Sequence, residues 1–136
     1  MRIFFLFIGI SFIAIVFFND NINSSNPYDI KINDDYVKKE LISKDGKVKI
    51  VLTIEEYGGA TGSFRNKLYI ANIKNDKLEN IKLILEADSI VIKSIEWTSL
   101  NTVNIESSVG KVFHFSNYWW NKKNKLTYYM NLSTKN

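Results

Sequence analysis

Residues 47–57 read KVKIVLTIEEY, and their alternation decides the fold. Val48, Ile50, Leu52 and Ile54 fall on one side of an extended chain, with Lys47, Lys49, Thr53 and Glu55 on the other. Successive side chains of a strand point to opposite faces, so a period of two marks a half-buried strand; a helix would space its apolar residues by three and four. The pattern recurs downstream. Lys67-Leu68-Tyr69-Ile70-Ala71 sends Leu68 and Ile70 inward, and strands are predicted over 80–86 (NIKLILE), 90–97 (IVIKSIEW), 102–106 (TVNIE), 111–120 (KVFHFSNYWW) and 125–132 (KLTYYMNL). Turn formers separate them, among them Asn75-Asp76-Lys77, Ala87-Asp88-Ser89 and Asn121-Lys122-Lys123-Asn124. Short strands at roughly ten-residue spacing give an all-β fold class, an antiparallel meander folded into a sandwich-like domain or partial barrel. Only residues 33–43, NDDYVKKELIS, suggest a helical turn.

Beyond the first strand lies YGGATGSFRNKLYI, residues 57–70. A phosphate-binding loop of the G-x-x-x-x-G-K-[ST] kind needs a lysine and a following helix, so that backbone N–H groups and the helix dipole converge on the anion. No lysine follows Gly62, and FRNKLYI is strand-like. The stretch therefore reads as a strand-to-strand connection in which Gly58, Gly59 and Gly62 supply positive φ. Arg65 is expected to pair with Glu55 or Glu56 across the hairpin. If the loop binds a partner, Thr61, Ser63 and Arg65 are the side chains that meet it.

SKDGK (43–47), GGAT (58–61) and WTSLNTVNI (97–105) together resemble the DUF5412-like small bacterial domains of unknown function. Their pattern is S-x-D-G-K, a strand, G-G-A-T, an Arg-containing strand and W-x-x-x-x-T-V-x-I. The resemblance spans residues 43–106 and implies a β-rich extracytoplasmic domain behind an N-terminal membrane segment or lipoprotein signal. It implies no activity. This chain has no lipobox cysteine.

Composition narrows the chemistry. With 46% hydrophobic residues the chain is too apolar to be disordered, and 136 residues allow one domain plus an appendage. The absence of cysteine excludes disulfides, thiolate nucleophiles and Cys-ligated metals. One histidine, His114, is too few for a His-based metal site; it alternates with Phe113 and Phe115 and is read as facing solvent. Glu55 and Glu56 are adjacent on a strand and point apart, while Asp34, Asp35, Asp88, Glu96 and Glu106 follow no catalytic spacing, so no catalytic residue, metal or cofactor is expected. A carboxylate-based hydrolase is the least favoured reading. The net charge of +4 is too small for its length to indicate nucleic acid.

The tail YWWNKKNKLTYYM, 118–130, interleaves aromatics with lysines. In a strand Trp119 and Trp120 face opposite sides, one to the core and one outward. Tyr118, Trp119 and Trp120 are therefore candidate partner-binding residues, for a protein, an envelope polymer or the bilayer interface, set against a plain terminal hairpin.

The chain opens MRIFFLFIGISFIAIVFFND, uncharged from Ile3 to Phe18. As a helix this run would be about 24 Å long, slightly under a bilayer's hydrocarbon core. It is apolar all round, which argues against a core helix. No small-residue cleavage site follows it, so an uncleaved signal-anchor is expected over residues 1–19, with secretion after cleavage as the alternative. Arg2 before the run and Asp20 after it place the N-terminus in the cytoplasm. Residues 20–29 then read as a flexible tether and 30–136 as the antiparallel β domain. The expected protein is a single-pass protein of a bacterial membrane whose outer β domain binds a protein or envelope component; the alternative is an immunity-type protein that neutralises an envelope toxin. Cell fractionation tests the anchor: the full-length product should stay in the membrane pellet after a high-salt wash, and release by salt would overturn it.

Overall fold

The computed structural model describes residues 30–59 and 62–135, so the predicted anchor and tether lie outside the described residues. Among the described residues nine strands form two sheets. The first contains β1 (Val37–Ile42), β2 (Val48–Tyr57), β3 (Ser63–Lys74), β4 (Lys77–Asp88) and β7 (Lys111–Phe115), side by side in that order. The second contains β5 (Ile92–Trp97), β6 (Thr102–Ser107), β9 (Leu126–Thr134) and β8 (Tyr118–Asn121), also in spatial order. No described helix is long and apolar enough to cross a membrane.

The all-β expectation holds, with two departures from an antiparallel meander. β1 to β4 do run as consecutive antiparallel neighbours. β6 and β9, however, pair in parallel, Thr102 opposite Tyr129 and Ile105 opposite Leu132. The predicted strand 111–120 is also two strands. Ser116 and Asn117 carry the chain from the edge of one sheet to the edge of the other: Ser116 N–H donates to Ile84 O at 2.8 Å in the first, and Asn117 O accepts from Met130 N at 2.9 Å in the second.

The suggested helical turn at 33–43 shrinks to one 3-10 turn, Asp34–Tyr36, capped by the Asn33 side chain, which accepts from Asp35 N at 3.1 Å. The rest of that stretch is β1. SKDGK closes the hairpin from β1 to β2. Ser43 Oγ donates to Asp45 Oδ1 at 2.7 Å and accepts from Val48 N at 3.0 Å, while Gly46 takes φ +73°. Each residue of the motif that matters here satisfies a turn group.

The core lies between the sheets. Ile50 and Leu52 of β2 and Leu68 and Ile70 of β3 face Ile95, Val103, Ile105 and Met130 of the second sheet in one buried cluster. An irregularity in β4 opposite Leu68/Tyr69 lets both Ile84 and Leu85 reach that cluster, which strict alternation forbids. At its centre Tyr128 is fully buried; its ring meets Trp119 at 5.5 Å and the edge of Trp97 at 6.0 Å, and its hydroxyl accepts from Asn124 Nδ2 at 2.7 Å. Such ring pairs contribute about 0.5–1.5 kcal/mol beyond their buried area.

Among the buried polar side chains, two pair with each other between the sheets. Asn72 of β3 and Asn121 of β8 exchange reciprocal amide hydrogen bonds across the sheets, at 3.2 Å and 2.6 Å. Asn121 Oδ1 also accepts from Lys123 N at 3.0 Å, which ties the pair to the β8–β9 turn. Removing one member strands the other amide, at about 1–3 kcal/mol, whereas replacing both by apolar side chains is far milder. Urea unfolding should therefore show Asn121→Ala losing about that much, and Asn72→Leu/Asn121→Leu recovering most of it.

Candidate functional site

The glycine-rich stretch is a hairpin connection. Tyr57 and Ser63 are the last paired residues of β2 and β3, and Gly58, Gly59 and Gly62 have φ of +91°, +55° and +62°. Gly62 N–H donates to Gly59 O at 3.2 Å. An open depression of about 330 Å³ lies beside it, lined by Glu56, Tyr57, Gly59, Gly62, Ser63 and Phe64. Ser63 stands half-buried in its wall, and Thr61 lies outside the described residues.

Arg65 does not keep the partner expected for it. Glu55 is its register neighbour across the hairpin, yet the guanidinium pairs with Glu86 of β4 at 3.5 Å and Glu55 pairs with Lys67 at 4.0 Å. The guanidinium carbon lies 5.2 Å from the centres of both the Tyr57 and Phe113 rings. β7 pairs Glu86 with His114 and Ala87 with Val112, which leaves Phe113 unpaired at an irregularity. Phe113 therefore packs on Arg65 instead of sharing the inner face with Phe115, as simple alternation predicted. With Glu86 and Asp88 on one side and two rings around it, Arg65 is a fastener between β3, β4 and β7 and not an open anion site. The carboxylates here are occupied in the same way, Glu86 with Arg65 and Asp88 with the Tyr57 hydroxyl. Among the described residues no group of three or more acidic or histidine side chains could hold a metal ion.

The tail forms a different surface. β8 pairs antiparallel with β9, Tyr118 opposite Tyr129 and Trp120 opposite Thr127. Trp119 and Tyr128, the intervening pair, enter the core. Trp119 is only 6% exposed and has no face to offer a partner, which removes it from the candidate binding residues. Tyr118, Trp120 and Tyr129 are 55%, 49% and 51% exposed on the outer face of the second sheet. Their Cβ atoms fall within roughly 5–8 Å of one another by strand geometry. No described residue bonds to the Trp120 indole N–H or to either tyrosine hydroxyl; the one ring contact is Lys82 Nζ, 5.8 Å from the Tyr118 ring centre. Tyr129 escaped the sequence reading as a site residue because its partner on the face, Tyr118, is set by pairing between strands and not by spacing along the chain.

The rest of that face is uncharged near the rings. Thr102 lies beside Tyr129, and Asn104 beside Asn131, whose Nδ2 donates to Asn104 Oδ1 at 2.9 Å. Acidic residues come only further toward β5, at Glu96 and Glu106, and Glu106 is paired with Lys135 at 2.8 Å.

No family model, curated protein or solved structure matches this chain, so its likeness to the DUF5412-like domains rests on the quoted motifs alone.

The Tyr57 phenol donates to the Asp88 carboxylate, which pushes its pKa above the usual tyrosine value. Raised in the fold, that ionisation leaves the Tyr57 interaction intact below about pH 10 and removes it as pH climbs through the higher folded value. Tyrosinate absorbance, taken as the difference between wild type and Tyr57→Phe, should show Tyr57 titrating late, and Asp88→Asn should bring it down. An unchanged midpoint in Asp88→Asn would refute the contact.

Proposed function

We propose that this chain is a binding domain, tethered by residues 1–19 to a bacterial cytoplasmic membrane with its β domain outside, that holds a component of the cell envelope on the outer face of its second sheet. The observation that carries this is the exposure of Tyr118, Trp120 and Tyr129 together, with no described residue bonded to their polar tips and only Lys82 over one ring, that of Tyr118. A core needs none of them there: Trp119 and Tyr128 already fill it from the other side of the same strands, with Trp97 of β5 packed against Tyr128. Clustered Trp and Tyr are also the side chains that most often dominate binding energy, because they bring large apolar area with little entropy to lose. The uncharged apolar run of residues 3–18 and its flanks support the location.

Affinity capture from native envelopes by the full-length chain in detergent tests the reading. Wild type should retain an envelope component that Trp120→Ser/Tyr129→Ser loses by about tenfold or more, the scale of a lost aromatic anchor. The variant should keep the far-ultraviolet spectrum of a folded sheet, since both substituted residues lie outside the core. Equal capture by wild type and variant would refute it.

A further inference from the structure

We infer that the occupant of the aromatic face is an uncharged glycan chain; the inference rests on the proposal that this face binds an envelope component. Three features of the face select that chemistry.

The first is the form of the platform. Tyr118 and Tyr129 are directly opposed on neighbouring strands, and Trp120 sits one pleat further along. All three stand on a hydrogen-bonded sheet, so the spacing of their Cβ atoms is set before any ligand arrives. A pyranose ring has a face of C–H bonds and a rim of hydroxyls. The face stacks on an aromatic ring, and a chain of such rings presents one face after another to a row of aromatics.

The second is what surrounds the rings. Thr102, Thr127, Asn104 and Asn131 occupy the neighbouring outward positions. The Asn131–Asn104 bond uses one donor and one acceptor, leaving each amide further capacity for a sugar hydroxyl. Tyrosine hydroxyls and the indole N–H add polar tips that have no partner among the described residues.

The third is charge. None of the outward positions of β8, β9 and β6 is Lys or Arg, and the nearest outward carboxylates, Glu96 and Glu106, lie on the far side of the asparagines. The single cation over a platform ring among the described residues is Lys82 Nζ, 5.8 Å from the Tyr118 ring centre, too few to track a row of phosphates. A single-stranded nucleic acid would need cations tracking its phosphates among the stacking rings. An acidic polysaccharide would need the same. A peptide adding as a strand would find only the four residues Tyr118–Asn121 at this edge, too short a ladder to secure it.

The test uses the full-length chain in a detergent without a sugar headgroup, titrated with chitohexaose, cellohexaose and mannohexaose as uncharged probes and polygalacturonate as the charged one. Intrinsic tryptophan fluorescence and affinity electrophoresis report binding. At least one uncharged chain should bind, with little dependence on salt, and polygalacturonate should not. Trp120→Ala and Tyr129→Ala should each weaken binding by about tenfold, while Phe113→Ala, on the other sheet, leaves it unchanged. Failure of every uncharged chain to bind overturns the inference, as does binding that Trp120→Ala leaves intact. Vesicles of anionic lipid that bind wild type but not Trp120→Ala, with no glycan bound, overturn it in favour of the bilayer surface. Loss of envelope capture in Trp120→Ser/Tyr129→Ser without glycan binding keeps the binding face and rejects the glycan. If capture is indifferent to the variants, the face itself falls and takes the glycan with it.

Discussion

The reciprocal amide bonds between Asn72 and Asn121 fix how the two sheets meet. Apolar burial drives the sheets together but is non-directional, and a layer of Ile, Leu and Val tolerates more than one offset. A buried amide does not. Sliding β8 by one residue over β3 would leave two amides unpaired in an apolar medium, at a cost of a few kcal/mol. The pair thereby converts a favourable contact between sheets into one alignment of them, and because Asn121 also holds the Lys123 N–H, the alignment extends into the turn that starts β9.

From that one register the division of the aromatics follows. With Asn121 facing inward, alternation along β8 sends Trp119 inward and Tyr118 and Trp120 outward, and antiparallel pairing does the same for Tyr128 and Tyr129. A one-residue slip would exchange the sets, placing Trp119 and Tyr128 in solvent and three other rings in a core shaped for two. The buried asparagines and the exposed platform are thus two consequences of one constraint, joined along β8, where Asn121 follows Trp120.

The strands whose two faces differ in polarity could be read directly from the chain. β2 was predicted almost to the residue because its inner positions are aliphatic and its outer ones mostly charged or polar. β1 was not, since at the sheet edge VKKELI is exposed nearly throughout and the alternation has nothing to register. The split of 111–120 was hidden because Ser116 and Asn117 are weak breakers and the residues on both sides favour strands. Parallel pairing of β6 with β9 leaves no local mark, since partners twenty or more residues apart are chosen by the packing of the whole second sheet. The candidate site divided in the same manner: the outward Trp120 followed from period two, whereas Arg65 was assigned to the wrong carboxylate because β4 and β7, which bring Glu86 and Phe113 to it, are distant in sequence.

The outer faces of the two sheets spend their side chains differently. On the first, Lys49–Glu40, Lys67–Glu55 and Arg65–Glu86 pair cation with carboxylate, and the rings of Tyr57 and Phe113 close over Arg65. Each exposed ion pair contributes little stability, but together they leave that face internally satisfied. On the second, aromatic area of comparable size remains in water with no cation over Trp120 or Tyr129. Folding gains nothing from such exposure, and a soluble edge is ordinarily protected by charge. The three lysines Lys122, Lys123 and Lys125 lie in the turn between β8 and β9, where Lys123 reaches Glu79 at 3.4 Å. Exposed rings flanked by neutral threonines and asparagines, with the lysines of the chain's tail gathered at the adjoining turn, are what a ligand of neutral rings and hydroxyls requires, and a fold stabilised for its own sake would have placed the lysines among the aromatics.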